Sequence, residues 1–198
     1  MTDSNHRHSE YPIDSIFLDR WSPRAFTGEA IDVTTLLTML DAAHWAPSAS
    51  NLQPWRFVYA RRDTADWPSL LAILDESNQI WAKNASALLI VISRTHRITA
   101  SGERRPSYTH AFDAGAAWYA LAMQAHMLGF HAHGMAGIDR DKAIRDLGIP
   151  ADYRVEAAVA IGRLADKQTL PADLKAREVP SGRKALSEVA FEGRFLGE

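Results

Sequence analysis

The sequence predicts a fold that contains both α-helices and β-strands, and three observations support that prediction. Helix-type and strand-type patterns are interleaved along the chain rather than grouped into blocks. An apolar run at 87–92 (Ala-Leu-Leu-Ile-Val-Ile) is typical of a central strand buried on both faces. An alanine-rich helix pattern at 108–128 has small side chains that let another helix approach closely, so we expect it at the centre of the fold. With 198 residues, the chain is long enough for one well-buried core, which predicts a single domain over 1–198.

The remaining elements follow from local patterns, taken in chain order. Residues 1–10 are polar and predict a frayed tail, followed by a short helix at 13–18. Asp32 is the expected N-cap of a helix that Pro47 stops. The charged segment 95–106 shows no periodicity, which predicts a loop. Further strands are expected at 55–59, 130–135 and 154–161, and further helices at 63–76 and at 139–147 with Asp139 as N-cap.

Composition excludes several classes of function. The chain has no cysteine, so disulfides, thiolate nucleophiles and cysteine-bound metals are absent. A formal net charge of −2 and dispersed Lys and Arg residues give no general attraction to nucleic acid. No signal peptide and no membrane-spanning run is present, so we expect a cytoplasmic protein. No dinucleotide-binding, P-loop or nucleophile-elbow motif occurs.

Alternate histidines at His131 and His133, with His126 upstream, raise a metal site as one alternative. Side chains two apart on a strand point the same way and can share an ion. No carboxylate at ligand spacing accompanies them, and His126 is explained equally by a polar position on a helix. We therefore expect no metal.

Two kinds of segment indicate a polar ligand, and one of them indicates a phosphate group. Arg20 and Arg24 flank Ser22 in a Ser-Pro turn, and two guanidinium forks with a hydroxyl suit one phosphate. Arg183 lies in a similar turn near the C-terminus. The segment 47–55 is dense in hydroxyl and amide groups, which either turn the chain or face a polar ligand. For each segment the alternative is an ordinary solvated loop.

Taken together, these segments resemble the FMN-dependent nitroreductase family over nearly the whole chain. The most specific match is Pro-Ser-x-x-Asn-x-Gln-Pro-Trp at 47–55. Weaker matches occur in the same order as in the family: Arg-Trp-Ser-Pro-Arg at 20–24, Asn-Gln-Ile-Trp at 78–81, Gly-Met-Ala-Gly-Ile-Asp at 134–139, and Arg-Lys-Ala-Leu-Ser-Glu at 183–188.

The resemblance implies an α+β homodimer with a mixed sheet flanked by helices, FMN at the subunit interface, and a C-terminal segment that wraps the partner. That arrangement would account for the apolar residues of the tail, such as Leu186 and Phe195. The implied FMN contacts are Arg20, Trp21, Ser22, Arg24 and Arg183 at the phosphate, Pro47, Ser48, Ala49 and Asn51 from the opposite subunit, and Asn78, Met135, Ala136 and Gly137 around the flavin and ribityl chain.

The resemblance also implies ping-pong hydride transfer from NAD(P)H to nitroaromatics, quinones or related small oxidants, with no catalytic side chain. Tyr108, Phe112 and the arginines of 95–106 are candidates for the substrate pocket; the alternative is a core aromatic and a solvated loop. Some members of the family carry a lysine near the position of Trp81. In this chain Lys83 is the residue that could take the place of that lysine. The competing function is a flavin-binding protein of the same fold that NAD(P)H does not reduce.

Overall fold

A computed structural model describes residues 5–197 of the chain. Three short 3-10 turns lie at Ala49–Asn51, Lys167–Thr169 and Leu186–Glu188. The helices and strands are, in chain order, α1 (Ile16–Asp19), α2 (Val33–His44), β1 (Trp55–Arg61), α3 (Trp67–Leu71), α4 (Glu76–Ala82), β2 (Ala87–Arg94), β3 (His96–Ile98), β4 (Arg104–Pro106), α5 (His110–Met127), β5 (His131–Met135), α6 (Arg140–Asp146), β6 (Tyr153–Gly162) and α7 (Ala172–Lys175).

A four-stranded sheet in the order β1-β2-β6-β5 separates two hydrophobic clusters. Alternation along β2 sends Leu88 and Ile90 to one cluster and Leu89 and Val91 to the other, as the two-residue period of a strand requires. Helices α2 and α5 cover one face, and α3 and α4 contribute to the other. The central strand predicted at 87–92 is confirmed, and the α+β class with a sheet flanked by helices is confirmed.

The pairing of the strands differs from the mixed sheet that the family resemblance implies. Each of the pairs β1–β2, β2–β6 and β5–β6 is antiparallel. Within residues 5–197, therefore, the sheet contains no parallel pair. No helix in this described part of the chain is long and apolar enough to cross a membrane.

The long alanine-rich helix and the two predicted caps are confirmed. Helix α5 ends just before Gly129, whose φ of +74° closes the helix at little steric cost. The Asp32 carboxylate accepts a hydrogen bond from the Thr35 N–H at 2.8 Å, and the Asp139 carboxylate accepts one from the Lys142 N–H at 2.8 Å. These bonds satisfy backbone donors that a helix cannot pair internally.

Two sequence-based predictions of secondary structure are wrong. In place of one helix at 63–76, the chain forms α3 and then α4, because the Asp75 side chain caps a new helix by accepting from the Asn78 N–H. In place of a loop at 95–106, β3 and β4 pair as an antiparallel hairpin that turns at Gly102. Strands of three residues, one of them ending in proline, are too short for a period-2 pattern to be recognised.

The N-terminal residues that the structure describes do not behave as the frayed tail that we predicted. Arg7 donates hydrogen bonds to the carbonyls of Leu18 and Arg20 and to that of Ser181. Asn5 donates to the same Leu18 carbonyl. The first four residues of the predicted tail lie outside the described part. The N-terminal segment is therefore tied to both the α1 region and the C-terminal segment.

Candidate functional site

Five arginine side chains converge on one cavity of about 330 Å³, which we call the arginine cavity. It brings together every side chain that the sequence assigned to a phosphate: Arg20, Trp21, Ser22, Arg24 and, from more than 150 residues away, Arg183. Sequence reasoning missed the other residues of its wall, which are Arg7, His133, Arg177, Val179 and Ser181. His133 was noticed only as part of the alternate-histidine pattern. The two arginines lie in no recognisable local pattern, since Arg7 is in a polar tail and Arg177 follows a four-residue helix.

Glu178 fixes the segment of the cavity wall that carries Arg24. Its buried carboxylate accepts hydrogen bonds from the backbone N–H groups of Arg24 and Ala25, at 2.6 and 2.8 Å. The same carboxylate lies 3.8 Å from the Arg24 guanidinium. One acidic residue therefore joins the Ser-Pro turn to the C-terminal segment, although the two are far apart in sequence.

The arginine cavity is strongly electropositive. No carboxylate is among the described residues that line it. Burial, followed by the positive charge of Arg183, lowers the pKa of the Arg20 guanidinium. Burial and the charges of Arg183 and Arg20 lower the pKa of Arg7 in the same way. Mutual repulsion of this kind is relieved by an anion, and a planar guanidinium fork matches the oxygen geometry of a phosphate. The donor set fits the phosphate of FMN.

Two histidines near the cavity, His131 and His133, are partly buried. Burial lowers the pKa of His133 to about 4, although its ring nitrogen is hydrogen-bonded to the Pro23 carbonyl at 2.8 Å. Burial and then the charge of His126 lower the pKa of His131 to about 4 as well. Within residues 5–197 no group of three or more acidic, histidine or cysteine side chains is placed to hold a metal ion. Trp81 fills the core behind His133, with ring centroids 4.7 Å apart.

A second group of predicted FMN contacts lies around the C-terminal end of β5; its members are Asn78, Met135, Ala136 and Gly137. The Asn78 side-chain amide donates to the Gly137 carbonyl at 3.1 Å, so these two positions are brought together as predicted. A Cβ at Gly137 would lie 2.0 Å from a carboxylate oxygen of Asp75, so only glycine fits this approach. Ala136 is exposed, whereas the side chain of Met135 is buried in the core, so Met135 faces the site through its backbone alone.

The segment Pro47–Asn51, which we call the polar turn, lies against the N-terminal end of α5. The Ala49 N–H donates to the buried Asp113 carboxylate at 3.3 Å, and the Ser48 hydroxyl accepts from the Gln53 N–H at 3.0 Å. Ser50 and Asn51 have φ values of 51° and 53°, in the left-handed region that costs energy for residues with a Cβ. Strain of this kind is common where a backbone is shaped for a ligand.

The arginine cavity and the polar turn lie at opposite ends of α5. The polar turn contacts Asp113, whereas Trp21 of the cavity packs edge-on against His131, whose ring contacts His126. Asp113 and His126 are thirteen positions apart on this helix, which is about 20 Å along its axis.

The two predicted substrate-pocket aromatics are fully accessible. Tyr108 is 100% exposed and Phe112 is 81% exposed, and both lie at the same end of α5 as the polar turn. Neither is the core aromatic of the alternative interpretation. Lys83, the candidate substitute near Trp81, is exposed beyond the end of α4.

Known proteins share both the sequence pattern and the architecture. The profile of the nitroreductase family matches residues 18–72 and 61–163. A crystal structure described as "the oxidoreductase containing FMN" is 64% identical, covers all of both chains and superposes with a TM-score of 0.96. A structure from Desulfovibrio desulfuricans, provisionally identified as a nitroreductase in complex with FMN, is 26% identical over 94% of this chain and 99% of its own, with a TM-score of 0.71.

A curated relative agrees with these matches. A protein of Streptomyces coelicolor, provisionally named NADH dehydrogenase/NAD(P)H nitroreductase, is 30% identical over 174 residues, which are 76% of this chain and 82% of its own. Since the family profile matches more than half of the sequence and these relatives align along most of it, the chain belongs to the nitroreductase family.

Proposed function

We propose that this protein is an FMN-dependent oxidoreductase that takes hydride from NAD(P)H and reduces small oxidants such as nitroaromatics and quinones. The observation that carries the proposal is the arginine cavity, in which five guanidinium groups converge with no carboxylate among the residues of the described wall. The descriptions of two similar structures state that they contain FMN, which supports FMN as the cofactor of this protein.

Each part of the site has a distinct role in the proposal. Arg20, Ser22, Arg24 and Arg183 hold the FMN phosphate, and Arg7 and Arg177 add positive charge around it. The Asn78–Gly137 pair, just beyond the C-terminal end of β5, would contact the flavin or the ribityl chain. Bound FMN would supply the chemistry of hydride transfer between NAD(P)H and the oxidant, with ping-pong order of the two substrates. The protein therefore needs no acid or nucleophile; it binds, orients and excludes water.

We further propose that the functional unit is a homodimer in which the polar turn of one copy completes the cavity of the other. The separation of about 20 Å along α5 supports this arrangement, because one copy holds the two parts at opposite ends of a rigid helix. Exposed apolar side chains support it as well, since Phe112, Trp45 and Phe195 are each at least 75% exposed in the single chain. Exposed apolar surface of this kind usually marks an association surface.

Two measurements on the purified protein test the proposal. First, FMN is titrated into the FMN-free protein, and quenching of flavin fluorescence gives the dissociation constant. Second, the FMN-loaded protein is mixed anaerobically with NADH or NADPH, and the flavin absorbance is followed before and after a nitroaromatic is added. We expect tight binding, bleaching by at least one nicotinamide, and return of the colour with the oxidant.

Failure of these measurements would contradict the proposal in distinguishable ways. Absence of FMN binding would contradict the assignment of the arginine cavity. Bound flavin that neither NADH nor NADPH bleaches would favour the competing function, in which the protein holds FMN without NAD(P)H reductase activity.

A further inference from the structure

A second basic pocket, of about 230 Å³, lies between the β3–β4 hairpin and the start of β1. We call it the hairpin pocket. It is separate from the arginine cavity and shares no residue with it. Its polar wall is formed by Arg56, Arg94, Arg97 and Ser107, and the remaining described residues around it are Leu52, Gln53, Pro54, His96 and Ile98.

Two of the three arginines in this pocket have no counter-charge. Arg94 pairs with Asp152 at 3.2 Å. Arg56 donates only to neutral carbonyls, those of Gln53 at 3.0 Å and Trp55 at 2.6 Å. Within residues 5–197 no carboxylate lies within ion-pair distance of Arg97 or of Arg56. The pocket therefore presents about two units of uncompensated positive charge.

The Ser107 hydroxyl is a second, independent indication of a ligand. Ser107 is only 6% exposed and lines the hairpin pocket, yet its Oγ is buried without a hydrogen-bond partner. A buried hydroxyl with no partner destabilises the fold unless something pairs with it. An oxyanion bound between the arginines would offer it an acceptor.

The hairpin pocket is adjacent to the polar turn. Gln53 lines the pocket, and its backbone N–H donates to the Ser48 hydroxyl at 3.0 Å. On the other side, Ser107 precedes Tyr108, the exposed aromatic just before the start of α5. An anion in this pocket would therefore lie beside the residues that the proposed function puts around the flavin.

We propose that the hairpin pocket binds a phosphate monoester, and that the group it takes is the 2′-phosphate of NADPH. A phosphate monoester near neutral pH carries up to two negative charges, which match the two uncompensated guanidinium groups, whereas a carboxylate carries one. The 2′-phosphate is also the group that distinguishes NADPH from NADH. This inference rests on the proposed function, because it assigns the nicotinamide donor of that site.

The test compares Arg97→Gln with Arg145→Gln. Arg145 is an exposed arginine of α6 that does not line the pocket, so it is the control. For the FMN-loaded enzyme, kcat/KM is measured with NADPH and with NADH. We expect the wild type to favour NADPH, and Arg97→Gln to lower that preference about tenfold while NADH turnover changes less than about twofold. Ser107→Ala should lower the preference by a smaller factor, and Arg145→Gln should leave it unchanged.

A binding measurement keeps this test separate from the proposed function. Calorimetric titration of the same proteins with 2′-AMP, with adenosine and with inorganic phosphate needs no redox activity. We expect the wild type to bind 2′-AMP and to bind adenosine much more weakly. In Arg97→Gln the affinities for 2′-AMP and adenosine should be similar. Wild type that binds 2′-AMP and adenosine alike, or an Arg97→Gln variant that keeps the difference, would overturn the inference. Binding of inorganic phosphate without 2′-AMP would also overturn it, because the pocket would then not accept the nucleotide.

Discussion

The arginine cavity and the polar turn are built in opposite ways. The cavity gathers side chains from the N-terminal segment, the Ser-Pro turn and the C-terminal segment of one chain, held together by Glu178 and by the hydrogen bonds of Arg7. The polar turn makes local hydrogen bonds and one contact to Asp113, and its surroundings include exposed aromatic side chains such as Phe112.

This difference indicates which part of the site is complete in one copy of the chain. The arginine cavity is already formed in one chain, because contacts within that chain hold its mutually repelling arginines in place. The polar turn has the strained backbone of a binding segment but faces open surface. The proposed function therefore predicts that phosphate binding depends on one chain, whereas the surface around the flavin depends on association of two.

The largest expected effect comes from neutralising the cavity. Arg20→Gln combined with Arg183→Gln should weaken FMN binding by about a hundredfold or more, since each charge-assisted hydrogen bond is worth about 1.5–3 kcal/mol. Flavin fluorescence quenching measures the change. Arg145→Gln, on the exposed side of α6, is the control and should leave the affinity unchanged. An unaltered affinity in the double variant would show that the cavity does not hold the phosphate.

A pH effect should follow from the partly buried histidines of β5. His131 and His133 have pKa values of about 4 in the folded chain, below the ordinary value of 6.5. Between pH 6.5 and 4 the unfolded chain therefore binds more protons than the folded chain. The free energy of unfolding should fall by about 1 kcal/mol per pH unit for each histidine as the pH decreases through this window.

Urea denaturation of the FMN-free protein at pH 6.5, 5.5 and 4.5 measures this slope. We expect His133→Gln to show a shallower decrease than the wild type, because one of the two titrating groups is gone. His8→Gln, at an exposed position, should keep the wild-type slope. Equal slopes for wild type and His133→Gln would contradict the burial of an unprotonated ring.

A smaller effect is expected at the junction between α4 and the segment after β5. In Gly137→Ala the new methyl group would lie 2.0 Å from the Asp75 carboxylate and 2.7 Å from the Asn78 amide. The cap of α4 must move, at a cost of about 1–3 kcal/mol in the free energy of unfolding. Thermal or urea denaturation measures the loss. Gly182→Ala, where a Cβ would meet open space, should be close to neutral, and an equal loss in both variants would argue against the clash.

The sequence was sufficient where one short segment carries the whole signal. Asp32 and Asp139 were recognised as caps because a cap depends on neighbours three residues away. The arginines of 20–24 were recognised because the turn holds them together. Arg7 and Arg177 were missed since nothing near them in sequence differs from a solvated arginine; only the fold brings them to the cavity. The hairpin of 95–106 was missed because its pairing residues are few and charged.

The resemblance to the family supplied what local patterns could not. It grouped Arg183 with Arg20 and Asn78 with Gly137, and the structure brings both pairs together. It could not indicate that Met135 is buried in the core, because the order of residues in a motif does not say which side chain faces inward. The roles of Pro47, Ser48, Ala49 and Asn51 toward FMN stay predictions.

Mixed dimers test the sharing of the site most directly. One copy carries Arg20→Gln with Arg183→Gln, and the other carries Asn51→Gly, which suits the left-handed backbone at that position but removes the side chain. Each variant alone is expected to bind FMN weakly. If arginines and polar turn come from different copies, the isolated mixed dimer contains one intact site and should bind one FMN per dimer with wild-type affinity. Should the mixed dimer bind FMN only as weakly as its parents, both parts of the site would belong to the same chain.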